Sequence, residues 1–99
     1  MKLRLQAAAS VFALAVLAEP LHAQSVEQGV QLFNVRKYPD ARAILLPYGE
    51  RDADAAYYLG RIEMENDDAG KAAEWFERAV KMNPKSAVYY DWLGRAYGM

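Results

Sequence analysis

Cysteine is absent from this 99-residue sequence, and histidine occurs once, as His22. Without cysteine the chain has no disulfide, no thiol nucleophile and no thiolate ligand for zinc. The charges are nearly balanced, with 12 basic and 13 acidic side chains and a formal net charge of −1. This balance excludes the strong basic excess of a dedicated nucleic-acid-binding protein, so we expect no nucleic-acid partner.

Long hydrophobic runs are also lacking. The main apolar run, Ala7–Ala18, has twelve residues, short of the ~20 that a membrane-spanning helix needs. It follows Lys2 and Arg4 and precedes a small residue, Ala23, in the order of a secretory signal peptide. We expect cleavage after Ala23, with cleavage after Ala18 or retention as a membrane anchor as alternatives. No twin arginine is present, which favours general secretion.

Removal of residues 1–23 would take away His22 and leave an exported chain, periplasmic or extracellular, without histidine or cysteine. Ser-His-Asp catalysis, Cys-His catalysis and the usual zinc sites are then excluded. Carboxylates such as Glu63 and Glu65 lack an accompanying arrangement of base and nucleophile. We therefore expect no enzymatic activity, no metal, no cofactor and no stable membrane span after cleavage.

The rest of the sequence repeats at an interval of 34 residues, because Ala53–Glu65 aligns with Ala87–Met99. The matched positions include Leu59 with Leu93, Gly60 with Gly94, and Arg61 with Arg95. Between the two segments, apolar residues recur at the spacing of one helical face. They are Ala72, Trp75, Phe76, Ala79 and Val80.

Capping residues predict where the helices begin. Asp52, Asp68 and Ser86 each precede a periodic segment and can accept a hydrogen bond from the first turn of a helix. The predicted helices cover about 53–65, 69–82 and 87–97, and Asn83-Pro84 ends the second of them because proline disfavours helix in the residue before it.

Two more helices are predicted upstream. Ser25 and Gln28 read as a capping box that opens a helix to about Arg36, and Pro39 favours the start of a short helix to about Leu46. The fold class is therefore all-α, with about five short helices after the signal peptide.

This pattern resembles the tetratricopeptide repeat, a helix-turn-helix unit of 34 residues that stacks into an α-solenoid. The signature packing residues of the family are matched by Leu59, Gly60, Ala72, Phe76, Ala79 and Pro84 in one unit and by Tyr90, Leu93, Gly94 and Tyr97 in the next. In the earlier of these units, Ala56 and Glu63 depart from the aromatic positions of the family. A divergent unit precedes it, in which Gly29, Ala41 and Leu45 match the small, small and bulky positions.

The resemblance implies an organisation into a signal peptide (1–23), a divergent first hairpin (24–52), a full unit (53–86) and the first helix of a third unit (87–99). It covers the chain from about Ser25 to the C-terminus. We expect an N-terminal part of a longer bacterial protein, or an end that a partner or a second copy covers, because no second helix follows Gly94 to pack on it.

In this family the first helix of each unit lines a groove that binds a peptide or a partner protein, and the resemblance implies that function here. The candidate groove residues are Asp54, Tyr57, Arg61, Met64 and Glu65, followed by Val88, Asp91 and Arg95. Arg61 and Arg95 could bind an acidic group of a ligand. Alternatively, Arg61–Glu65 and Asp91–Arg95 pairs at helical spacing neutralise them.

The expected function is thus that of an exported interaction module or scaffold. Two alternatives remain open. The repeats could form the N-terminal region of a longer envelope protein whose catalytic or main functional part lies beyond Met99, or they could form a structural segment that associates with itself.

Overall fold

A computed structural model describes the backbone of residues 21–98 and the side chains from Ser25 to Gly98. Residues 1–20, which hold most of the predicted signal peptide, and Met99 lie outside the described residues. The described part is all-helical, as predicted, and contains five α-helices and one 3₁₀ helix. They are α1 (Leu21–Asn34), α2 (Tyr38–Leu45), the 3₁₀ helix (Leu46–Tyr48), α3 (Ala53–Glu65), α4 (Ala69–Met82) and α5 (Ala87–Tyr97).

The starts of α3, α4 and α5 are fixed by side-chain caps. The carboxylates of Asp52 and Asp68 each accept a hydrogen bond from the backbone N–H three residues later, at 3.0 Å. The hydroxyl of Ser86 accepts the equivalent bond at 3.3 Å. Each bond satisfies one of the unpaired N–H groups of a first turn. The predicted bounds of these three helices and their caps are confirmed.

Helix α1 begins earlier than the sequence analysis predicts. It starts at Leu21, so Ser25 lies within the helix and the predicted capping box with Gln28 is wrong. The helix ends at Asn34, and Arg36 then adopts a left-handed backbone with φ 64° that ends the helical geometry.

Helix α3 lies at the centre of the packing and contributes to two apolar clusters. One side of it packs with α1 and α2 through Leu59 and Ile62, which are fully or almost fully buried. The other side packs with α4 and α5 through Ala56, against Phe76. Burial of a large side chain such as Phe76 contributes about 2–3 kcal/mol, so both neighbours of α3 stabilise it.

Two glycines allow a bulky side chain of the following helix to lie directly on the helix backbone. A Cβ built on Gly60 would stand 2.5 Å from the ring of Phe76, and one built on Gly29 would stand 2.5 Å from the side chain of Leu45. Real Cβ atoms do not approach so closely, because packed interiors hold no spare volume. Phe76 is therefore what requires glycine at position 60.

The third glycine of this series faces open space. A Cβ on Gly94 would meet no atom within 4 Å among the described residues. Tyr90 and Tyr97, which lie one turn to either side, are 50% and 63% exposed. We call these three residues the Gly94 face. They were predicted as packing residues, but no described helix covers them; Pro84, in the loop before α5, is also exposed.

We predict opposite effects of alanine at two of these glycines. Gly60→Ala should lower the free energy of unfolding by ~1–3 kcal/mol, because the added methyl overlaps the buried ring of Phe76. Gly94→Ala should instead raise it by up to ~1 kcal/mol, the difference in helix propensity. Urea denaturation followed by circular dichroism measures both. Equal changes in the two variants would contradict the packing described for Gly60.

Candidate functional site

Five aromatic side chains from α1, α3 and α5 form a continuous cluster, which we call the aromatic face. Phe33, Tyr57 and Tyr89 are buried in it, and Tyr58 and Trp92 are partly exposed. Tyr57 and Tyr58 of α3 lie at its centre, with ring centroids 4.9 Å apart. Phe33 of α1 contacts Tyr58 edge to face at 5.1 Å. Tyr89 of α5 stacks on Tyr57 at 5.1 Å with 26° between the ring planes. Trp92 is the fifth ring, and an arginine side chain that contacts several of these rings links it to the others.

Arg61 is that arginine. Its Cζ lies 3.8 Å from the ring centroid of Trp92, 5.1 Å from that of Phe33 and 5.6 Å from that of Tyr57. It also donates a hydrogen bond from Nη1 to the Tyr57 hydroxyl at 2.7 Å. Because cations are attracted to aromatic faces, these contacts hold the guanidinium in place and connect all three helices.

Two ion pairs were predicted on this face, and the structure contains one of them. The predicted Asp91–Arg95 pair is confirmed, with Nη2 and Oδ2 3.1 Å apart. The predicted Arg61–Glu65 pair is wrong: Glu65 is exposed, and within the described part of the chain no carboxylate pairs with Arg61. The aromatic rings and the Tyr57 hydroxyl hold the Arg61 side chain away from its helical neighbour, so the half-buried guanidinium keeps a free positive charge.

Asp54 and Tyr89 connect α3 to α5 at one end of the face. The Tyr89 hydroxyl donates a hydrogen bond to Oδ1 of Asp54. Burial raises the pKa of Tyr89 above its usual value, and the hydrogen bond to the Asp54 carboxylate raises it further. Burial also raises the pKa of Tyr58, with smaller effects from Tyr57 and Asp54. Both hydroxyls are therefore protonated at neutral pH.

The remaining groove candidates have different environments. Tyr57 is 8% exposed, because Tyr89 and Arg61 cover it. Its ring therefore supports the neighbouring side chains and presents little area to a ligand. Met64 is partly buried against the cluster of α4 and α5. Val88 is 53% exposed. Arg95 places its Cζ 4.6 Å from the centroid of Trp92, so both repeated arginines contact the same indole ring.

The sequence analysis did not predict one buried ion pair, which Glu63 forms. Glu63 is 4% exposed, and its Oε1 accepts a hydrogen bond from Nε of Arg42 at 2.9 Å. A buried carboxylate needs a partner to offset lost hydration. The position of Glu63 beside Ile62 on the inner side of α3 is the signal that could have predicted a basic partner on α2. Its ion pair gives Glu63 a structural role.

No group of three or more histidine, cysteine, aspartate or glutamate side chains within the described part of the chain could hold a metal ion. None of its helices has the length and apolar character to cross a membrane.

No protein-family model matches the sequence, and no curated protein matches it. The resemblance to tetratricopeptide repeats therefore rests on the residue spacing of this chain.

We predict that the Tyr89–Asp54 hydrogen bond contributes fully to the stability of the fold below pH 10 and contributes less as the pH rises further. The pKa of Tyr89 is raised in the folded protein, so its contribution is complete below the ordinary tyrosine pKa of about 10 and falls as pH rises beyond it. Tyr89→Phe should unfold more readily than the natural chain at pH 8, and the difference should shrink above pH 10. Tyr90→Phe, which alters an exposed neighbour, is the control. A difference independent of pH would contradict the prediction.

We predict that the Arg42–Glu63 pair shows strong coupling in a double-mutant cycle. Arg42→Met leaves the buried Glu63 carboxylate without its partner and should destabilise the protein by about 1–3 kcal/mol. Arg42→Met with Glu63→Met removes both charges and should recover most of that loss. Chemical denaturation of the four proteins measures the coupling. Additive effects would show that the ion pair is unimportant for stability.

Proposed function

We propose that this protein is an exported interaction module that binds a peptide or a segment of a partner protein along its aromatic face. The proposal combines the resemblance to tetratricopeptide repeats with the side-by-side placement of residues from α1, α3 and α5. In a stack of such units, an α-solenoid, the first helices of successive units would form one continuous binding surface. The basic start of the sequence and the apolar run Ala7–Ala18 support export to the periplasm or the extracellular space.

The single observation that carries the binding proposal is the state of Arg61. A guanidinium has five N–H donors in a planar fork, and one of those on Arg61 is donated to Tyr57. Aromatic rings contact the group at the distances given above, and stacking on a ring leaves the edge of a guanidinium able to bind a carboxylate in bidentate fashion. We therefore propose that Arg61 anchors an acidic side chain or the C-terminal carboxylate of the bound peptide.

The surroundings of Arg61 favour this role over that of Arg95. Arg61 is half-buried among rings, where a charge-assisted hydrogen bond is stronger than in water. The Arg95 side chain is 58% exposed and already pairs with Asp91. A guanidinium fixed before binding loses little side-chain freedom on contact with a ligand. These differences make Arg61 the specific anchor and Arg95 a matched control.

We predict that peptides selected on this protein carry a carboxylate that depends on Arg61. A phage-displayed random 12-mer library would be selected on the full chain, and selected peptides would be synthesised and titrated by fluorescence anisotropy. Arg61→Gln should weaken their binding at least tenfold, and Arg61→Lys should restore it in part, because lysine keeps the charge but not the fork. Arg95→Gln should change the affinity by less than threefold.

Two further comparisons decide the outcome. Peptides with a free C-terminus and an amidated C-terminus distinguish the main-chain carboxylate from an acidic side chain. Thermal unfolding by circular dichroism establishes that Arg61→Gln remains folded. Selected peptides without any required carboxylate, or equal losses for the Arg61 and Arg95 variants, would contradict the proposal.

A further inference from the structure

A cleft lies between α2, α3 and the start of α4, and most of the side chains that line it are polar or charged. Its volume is about 370 Å³, within the range of about 300–1,000 Å³ that is typical of small-molecule sites. No ring of the aromatic face lines it. We call it the Arg42 cleft, after the arginine that α2 contributes.

The guanidinium of Arg42 is oriented in the cleft by a buried partner. Its Nε donates a hydrogen bond to Oε1 of Glu63 at 2.9 Å, and the side chains of the two residues are 39% and 5% exposed. Nη1 and Nη2 of Arg42 donate to no other group among the described residues. Because these two nitrogens carry most of the N–H donors of a guanidinium, the ion pair fixes Arg42 and leaves a planar fork of donors for a ligand.

A second cation and a neutral donor come from the other side of the cleft. Lys71 of α4 pairs with no carboxylate in the described part of the chain. Asp68, which accepts a hydrogen bond from the Lys71 backbone, is the cap of α4 and does not line the cleft. The side-chain amide of Asn66, in the turn between α3 and α4, has no hydrogen-bond partner among residues 25–98.

The charge of the lining favours an anion. Arg42 and Lys71 are cations, and Glu63 is the only carboxylate among the described residues that line the cleft. These three groups leave a formal charge of +1, and the Glu63 carboxylate already accepts a hydrogen bond from Arg42. Donors that are held in place before binding lose little freedom when they contact a ligand.

The number and kind of donors match a phosphate group better than a carboxylate. A carboxylate offers two oxygens, whereas a phosphomonoester has three terminal acceptor oxygens and about −1.5 to −2 charge at neutral pH. Arginine binds such a group with two parallel N–H donors, and lysine binds it as a point charge. Pro39, Ile62 and the ring of Tyr38 form an apolar wall of the same cleft, which offers a surface to the organic part of a ligand.

We propose that the Arg42 cleft binds the phosphate group of a small organic phosphomonoester, with Arg42 and Lys71 as charged donors and Asn66 as a neutral donor. The proposal is independent of peptide binding at the aromatic face, because the two sites share no side chain.

Phenyl phosphate is the probe that tests this proposal. It would be titrated into the ¹⁵N-labelled full chain at constant ionic strength, and amide shifts would be followed by NMR. We expect saturable shifts at Lys71 and at the backbone and side-chain amides of Asn66. Inorganic phosphate should bind more weakly because it lacks a ring to cover the apolar wall, and phenylacetate should bind more weakly because it has fewer oxygens.

Two lysines give a matched pair of variants. Lys71→Gln should weaken the binding of phenyl phosphate by about fivefold or more, and Lys71→Arg should retain most of it, because arginine keeps the charge. Lys85→Gln removes the same charge at an exposed position outside the cleft and should change the affinity by less than about twofold. Arg42→Met combined with Glu63→Met, which removes the buried ion pair as a whole, should abolish saturable binding. Circular dichroism establishes that each variant is folded.

Four results would overturn the proposal. Shifts centred on the indole N–H of Trp92 would place the anion at the aromatic face. Equal losses for Lys71→Gln and Lys85→Gln would show a response to total charge alone. Binding of phenylacetate or inorganic phosphate as tight as that of phenyl phosphate would contradict the proposed ligand class, and the absence of saturable shifts would show that the cleft binds no phosphomonoester.

Discussion

The fold depends on the direct contact between a glycine and a bulky side chain of the next helix. Phe76 on Gly60 and Leu45 on Gly29 bring each pair of helices to a short distance that no other residue at the glycine position allows. A third contact of this kind attaches the 3₁₀ segment, because Gly49 lies against the ring of Trp75. Because these contacts fix the distances between helices, α3 packs with α1 and α2 on one side and with α4 and α5 on the other. The side chains of α1, α3 and α5 then meet in the aromatic face.

Two charged residues of α3 show how one helix can neutralise one charge within the fold and leave another available for the proposed ligand contact. Glu63 lies in the interior and is paired with Arg42, so its charge is used within the fold. Arg61 lies among aromatic rings, which attract a cation without neutralising it. A buried carboxylate paired in this way leaves no charge for a ligand, whereas a guanidinium held by rings retains its charge and most of its donors.

Much of the local structure could be predicted from short segments of sequence. Asp52, Asp68 and Ser86 are capping residues whose hydrogen bonds involve only the next three residues, so the starts of α3, α4 and α5 follow from local chemistry. The predicted start of α1 was wrong because the residue pattern of a capping box can also occur inside a helix, where Ser25 lies. The predicted Arg61–Glu65 pair was wrong because of tertiary contacts. Phe33 and Trp92 belong to other helices, and their rings hold the guanidinium away from Glu65.

The sequence by itself determined the helical class, three helix starts, the 34-residue interval and the chemical types available, without cysteine and with a single histidine. These properties depend on composition and on neighbours within a few residues. Tertiary structure decided which charge is neutralised, which rings surround Arg61, and that Phe76 explains Gly60 while Gly94 remains open. Those outcomes depend on distances between side chains far apart in the sequence, and helical periodicity identifies the face of a residue but not what lies opposite it.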